Sequence, residues 1–353
     1  MTHHTPSRRA FLQTIGTGLA ASVVSPTILG ASDKAGTKRP VIGSGEFTYE
    51  VYHDWGELPA GIKYGNTHGV CEDSRGQIYI HHTVHATSDR HDTMVVFDQH
   101  GKFVRSWGAE FEGGAHGLHI RREGSDEFLY LCDTKRAIVA KATTKGEIVW
   151  QFGYPKESPK YPVNADGTPG IKYSPTNIAI APNGDFYVGD GYGSSFINQY
   201  DSNAKFIRTF GGKGKDAGQL DCPHGLMVDV RGATPVLMVA DRSNKRIQNF
   251  SLDGTHLGFV EDFPAPCHFN ERQGVIVVPD LFARVTLIDR QNKAIEQLGD
   301  AGVDSWKQIR GGPRDAFPVG KFVCPHSACF DHAGNIFVVE WVEVGRVTKL
   351  RKV

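Results

Sequence analysis

The chain has 353 residues, and its 39 Lys+Arg balance 39 Asp+Glu to a formal net charge of zero. That balance excludes the basic stripe of a nucleic-acid surface and the polybasic patch of a membrane-bound segment. The length would ordinarily suggest two domains, but all-β folds often exceed that prior as one unit, and 41 glycines suit a chain with many tight turns.

Residues 1–32 read as a Tat signal peptide. Ser7-Arg8-Arg9-Ala10-Phe11-Leu12 is a twin-arginine motif, an apolar stretch follows through Ile28, and Gly30-Ala31-Ser32 is a small-residue cleavage site. Gly16, Gly18 and Pro26 interrupt the apolar stretch, which argues for export over a membrane anchor. The expected location is periplasmic or extracellular in a bacterium, with no membrane span after processing. Residues 33–46 read as a polar, glycine-containing linker. The six cysteines (Cys71, Cys132, Cys222, Cys267, Cys324 and Cys329) include no C-x-x-C pair. Most sit inside apolar runs and read as buried free thiols, although spacing does not settle their pairing.

From residue 47 the chain repeats. Phe47–Tyr52 alternates like a strand. Unit one spans about 66–108, unit two 114–153, unit three 174–211, unit four 222–260, unit five 265–299, and unit six starts at Val323 and ends near Leu350. Each has a period of about forty residues with up to four strand-like runs, the pattern of a β-propeller blade. Unit six is one strand short, and Phe47–Tyr52 is expected to supply it, which would close the ring and leave no sheet edge. The fold class is therefore all-β: a six-bladed β-propeller over residues 47–353, closed by an N-terminal strand. Two longer loops, 154–173 and 300–321, interrupt the pattern and are candidates for rims or lids.

The residues that open the innermost strands are His68, His116, Thr176, His224, Cys267 or His268, and His326. With 16 His in the chain, composition predicts about a quarter of one histidine in six fixed positions. His116, His224 and His326 fall in alternate units, so the fold would space them evenly about the channel axis. Three imidazoles with an open fourth position make the ligand set of a catalytic zinc site, and imidazole also suits copper, iron or nickel. The competing account of any single Pro-His pair is a turn residue bonded to backbone. His68 and His268 read as supporting groups or substrate contacts, with extra ligands as the other option. A further group, His81, His82, His85, His91 and Arg90, either lines the same mouth or belongs to a solvated loop. Asp190 and Asp241 read as turn stabilisers. Tyr192 and Arg242 follow strands near the channel and are expected to point into it, where a neighbouring metal or arginine would lower the phenol from its usual pKa of about 10.

The Phe-x-x-x-Gly unit endings and the Pro175-Thr176-Asn177-Ile178-Ala179 opening resemble NHL repeats over nearly all of the mature chain. The resemblance sharpens in the succession His116-Gly117-Leu118, Asp190-Gly191-Tyr192, Pro223-His224-Gly225-Leu226, Ala240-Asp241-Arg242 and Pro325-His326, which is similar to the peptidylglycine α-hydroxyglycine amidating lyase domain. It implies a divalent metal, zinc first and copper or iron next, on His116, His224 and His326. It also implies Tyr192 as base, Arg242 as a substrate-side or structural arginine, and Arg90 as the nearest candidate for a first-blade catalytic arginine. Ser327 stands where that family has an aspartate contacting calcium, so calcium is not expected. Cys324 replaces a methionine, and the cysteines around the family's tyrosine are absent. The function so implied is a metal-dependent lyase that cleaves a C–N or C–O bond of a small hydroxylated or peptide-like substrate. The alternatives are an NHL scaffold for a protein or glycan and a metal-dependent propeller hydrolase or lactonase, whose usual carboxylate and Asn ligands are not seen.

Overall fold

The computed structural model describes residues 29–30, 39–302 and 305–353. Apart from Leu29–Gly30, the segment read as a Tat signal lies outside the described residues. Five four-stranded antiparallel sheets and one six-stranded sheet form the six blades of a β-propeller. Blade one is Thr67–Glu72, Ile78–His82, Met94–Phe97 and Phe103–Trp107. The innermost strands of the next four blades are Ala115–Glu123, Asn177–Ile180, Pro223–Asp229 and Asn270–Arg272. Blade six contributes Pro325–Phe330, Ile336–Glu340 and Arg346–Lys352, and Tyr49–His53 pairs antiparallel with the last of these, Leu350 opposite Val51.

The stretch read as a linker at 33–46 is not all linker. Pro40–Ile42 adds a further strand outside Tyr49–His53, and Gly45–Phe47 is a 3-10 turn. The reason is burial: Ile42 packs with Leu298 and Phe322 in the apolar layer between blades five and six.

Similar layers separate the other sheets, as where Val70, Ile80 and Val95 of blade one meet Phe337, Val339 and Val347 of blade six. Several hairpins share one device. An aspartate accepts two main-chain N–H groups around the turn, as Asp73 does from Arg75 and Gln77, Asp201 from Asn203 and Lys205, and Asp331 from Ala333 and Asn335.

A second set of carboxylates sits where the second strands of blades three to six end. Asp190 accepts from the main-chain N–H of Ser174, Asp241 from Asp221, Asp280 from Ala265, and Glu340 from Val323. Each ties down the segment that enters the innermost strand, so Asp190 and Asp241 hold the architecture of the channel mouth.

The two long loops pack onto this frame. In the first, Tyr161 is buried, donates to Asp190 Oδ2 at 2.9 Å and accepts from Asn198. In the second, Trp306 of the short helix Ser305–Ile309 stacks on Phe282, while the Arg310 guanidinium lies 3.3 Å from the Trp341 ring centre and reaches Asn66. This loop therefore spans blades five, six and one at the end where the innermost strands begin. No helix among the described residues is long and apolar enough to cross a membrane.

Candidate metal centre

Four innermost strands carry a histidine beside a break in strand register: between Thr67 and Gly69, Ala115 and Leu118, Pro223 and Leu226, and Pro325 and Ser327. A bulge re-aims one side chain out of the strand's alternation. Here it turns His68, His116, His224 and His326 toward one another. The ring centres of His116, His224 and His326 are 4.9, 4.8 and 4.6 Å apart, and His68 lies 4.7 Å from His116 and 4.5 Å from His326. All four are buried.

The His-Gly pairing has a steric cause. A Cβ on Gly117 would come within 2.5 Å of the Thr176 carbonyl oxygen, and one on Gly225 within 2.4 Å of the Cys267 carbonyl oxygen. Those same carbonyls accept from the histidines. His116 Nδ1 donates to Thr176 O at 2.7 Å, and His224 Nδ1 to Cys267 O at 2.8 Å. In blade six His326 Nδ1 donates to His68 O at 2.8 Å. A carbonyl can only accept, so each Nδ1 carries its proton and each Nε2 presents a lone pair. An outer hydrogen bond of this kind fixes tautomer and ring orientation in histidines that ligate a metal.

The protons inside the ring do not suffice for these lone pairs. Tyr192 Oη lies 3.2 Å from His116 Nε2 and 3.1 Å from His224 Nε2, and its one proton serves only one of them. The third lone pair, on His326 Nε2, has His68 Nδ1 at 3.3 Å, at the long end of a hydrogen bond. Protonating the rings is no remedy. Burial, joined by the neighbouring histidines and Arg242, holds His224 and His326 well below their ordinary range, and burial brings His116 to about 3. A neutral cluster therefore keeps one inward lone pair without a hydrogen, which a cation would satisfy. The donor set fits a divalent metal on chemical grounds. The tightest group of ligand atoms is that of His68, His116 and His326, all within 4.8 Å of one another, while His224 stands across the Tyr192 hydroxyl from His116.

Arg242 Nη1 donates to Tyr192 Oη at 3.4 Å, and Nη2 to Cys222 Sγ at 3.2 Å. Burial works against its charge, but Tyr192, Cys222 and Cys267 outweigh that, so the guanidinium stays protonated. Without a metal, Arg242 alone does not lower Tyr192. Burial pushes the phenol up by more than Arg242 pulls it down.

Arg90 is not brought to the cluster: its guanidinium is 43% exposed and bonds to Asp92 Oδ2 and Ser106 Oγ. The blade-one histidines also separate. His81 and His82 are buried on the strand Ile78–His82, whereas His91 pairs with Glu112 at the surface. His268 is buried next to Cys267, and its Nδ1 has no hydrogen-bond partner among the described residues. All six cysteines are buried and unpaired. Cys222 and Cys267 flank the Arg242 guanidinium; the sequence offered Cys267 only as the alternative to His268 at a ring position and did not single out Cys222. Their signal is adjacency to the histidine positions, at Cys222-Pro223-His224 and Cys267-His268.

Fold and site define a six-bladed β-propeller with a histidine ring in its channel. Its homologues include NHL repeat-containing proteins and peptidylglycine amidating lyases. It is 26% identical over 261 residues to NHL repeat-containing protein 3 of Homo sapiens, covering 69% of this chain and 70% of that protein. It is 28% identical over 238 residues to peptidyl-alpha-hydroxyglycine alpha-amidating lyase 1 of Drosophila melanogaster, covering 59% of this chain and 41% of that protein. The chain spans only 23% of the peptidyl-glycine alpha-amidating monooxygenase B of Xenopus laevis that it also matches. Among solved structures, streptogramin B lyase superposes with a TM-score of 0.55 at 12% identity, over 85% of this chain and 97% of that one, a likeness of fold alone. No protein-family model matches the chain.

Proposed function

We propose that this chain is an exported, metal-dependent lyase of the amidating-lyase type, acting on a small hydroxylated substrate. The observation that carries this reading is the position of Tyr192 Oη between His116 Nε2 and His224 Nε2 with Arg242 behind it. His116, His224 and His326 would hold the metal, zinc first and copper or iron next. When bound, it would act as a Lewis acid on a substrate oxygen.

The chain's own residues supply the proton handling. In the metal-free ring the Tyr192 hydroxyl is a donor to histidine lone pairs. Once those lone pairs are engaged elsewhere, its acceptors are gone and Arg242 Nη1 still donates to Oη. That exchange favours the phenolate and makes Oη a proton acceptor at the ring's centre. Oη then takes the proton of a substrate carbinol O–H. The O–H electron pair becomes the C=O bond, the C–N or C–O bond on the same carbon breaks, and the leaving nitrogen or oxygen takes that proton back from Oη. Arg242 remains charged throughout and offers a partner for an acidic substrate group. The homology to an amidating lyase supports this chemistry, and Ser7–Leu12 supports the Tat route of export.

The test is Tyr192→Phe assayed against a peptidyl-α-hydroxyglycine and simpler carbinolamides, following release of carbonyl product. Tyr192→Phe should retain the metal and lose about 10²- to 10⁴-fold in kcat, the usual share of a general base. Turnover at the wild-type rate would remove Tyr192 from the mechanism. A wild-type protein inert to all of them would favour a binding scaffold.

A further inference from the structure

We infer that His68 is a fourth, displaceable ligand of the channel metal, an inference that rests on the metal reading above. Three observations carry it. First, the ligand atoms of His68, His116 and His326 are those that crowd within 4.8 Å of one another. Second, His68 Nδ1 stands 3.3 Å from His326 Nε2. That is long for a hydrogen bond donated by N–H, which falls between about 2.7 and 3.2 Å. It matches the edge of a tetrahedron with metal–nitrogen bonds of about 2.0–2.1 Å, whose corners lie about 3.3–3.4 Å apart. Third, His68 differs from its three neighbours in how it is held. Each of those locks Nδ1 onto a carbonyl of the adjoining blade, whereas His68 turns Nδ1 itself inward and makes no such bond. It is also the most exposed of the four, at 8% against 1–3% for the others.

A ring without that anchor, on the accessible side of the cluster, can leave and return at little cost to the blade that carries it. The resting centre is then closed by four imidazoles. An incoming substrate oxygen takes the place of His68, and His116, His224 and His326 keep hold. His68 lies in blade one, two residues after Asn66, which accepts from Arg310 of the loop 300–321.

The experiment uses full-length metal-free protein, reconstituted with one equivalent of Co(II), comparing wild type with His68→Ala, His68→Gln and His224→Ala. Affinity is read by competition with a chelating dye, and access to the metal by azide titration of the visible bands. Circular dichroism confirms that each variant is folded. His68→Gln keeps a donor for His326 Nε2 and removes the imidazole, so it serves even where the alanine variant is unstable. Both His68 variants should lose at least the about 10- to 100-fold in affinity that even outer partners of a metal site cost, and should respond to azide at concentrations that leave wild type unchanged. Wild-type affinity and azide response in His68→Gln would overturn the inference and leave His68 a hydrogen-bond partner. If His224→Ala weakens binding while neither His68 variant does, this inference alone falls. If wild type takes up no cobalt, it falls together with the metal reading.

Discussion

At the residue scale the site depends on glycine as much as on histidine. Gly225 has no room for a Cβ against the Cys267 carbonyl, and that carbonyl orients His224. Gly225→Ala should therefore push the two blades apart, cost about 1–3 kcal/mol in denaturant unfolding and lower metal affinity although every ligand is still present. An Arg90→Ala control should leave metal binding unchanged, because Arg90 bonds only within blade one. The histidines were legible from sequence because a repeat places equivalent positions on one ring. Their acceptors were not, because they are main-chain carbonyls: Thr176 occupies a ring position without a ligand side chain and contributes its oxygen to His116. The position of Arg90, at Asp92 and Ser106, was not legible because the blade-one insertion gave no register by which to place its side chain. The direction of the Tyr192 shift was also invisible, since it depends on how far burial exceeds the pull of Arg242.

At the element scale the sheets followed from hydrophobic alternation and turn residues, and the missing strand of unit six from counting. The strand Pro40–Ile42 escaped that reading because only Val41 and Ile42 are apolar in a stretch otherwise rich in Gly, Ser and charge. Its burial is tertiary: Ile42 is 5% exposed against Leu298 and Phe322. Ile42→Ala should cost about 2 kcal/mol, at the low end for such a truncation because the strand is short and lies toward the outer side of the sheet, and should leave metal content intact. A cost near zero in urea unfolding would mean that this strand does not help to hold blade six. The bulges at the histidines belong to this scale as well. At His68, His116 and His224 the neighbouring blade approaches the glycine that follows, which no single strand encodes.

At the scale of the whole molecule the channel and blade interfaces hold many neutral histidines. Burial lowers His53 and His82 to about 3 and His81, His119 and His268 to about 4, against an unperturbed 6.5. The sign follows from linkage. An unfolded chain takes up these protons near pH 6.5 and the folded one resists them, so their stabilisation is complete above about 6.5 and is lost as pH falls toward 3–4. The metal-free protein should thus melt several degrees lower at pH 5 than at pH 7.5. A melting temperature constant over that range would mean that these rings are hydrated or paired in solution.

The central claim is that the ring of lone pairs at His116, His224 and His326 holds a metal. Plasma mass spectrometry on untagged protein, beside His224→Ala, tests it most directly. The account predicts about one zinc or copper per chain, lost in a variant whose circular dichroism is unchanged. Metal-free wild-type protein that takes up none on reconstitution would contradict it and leave the propeller as a binding scaffold.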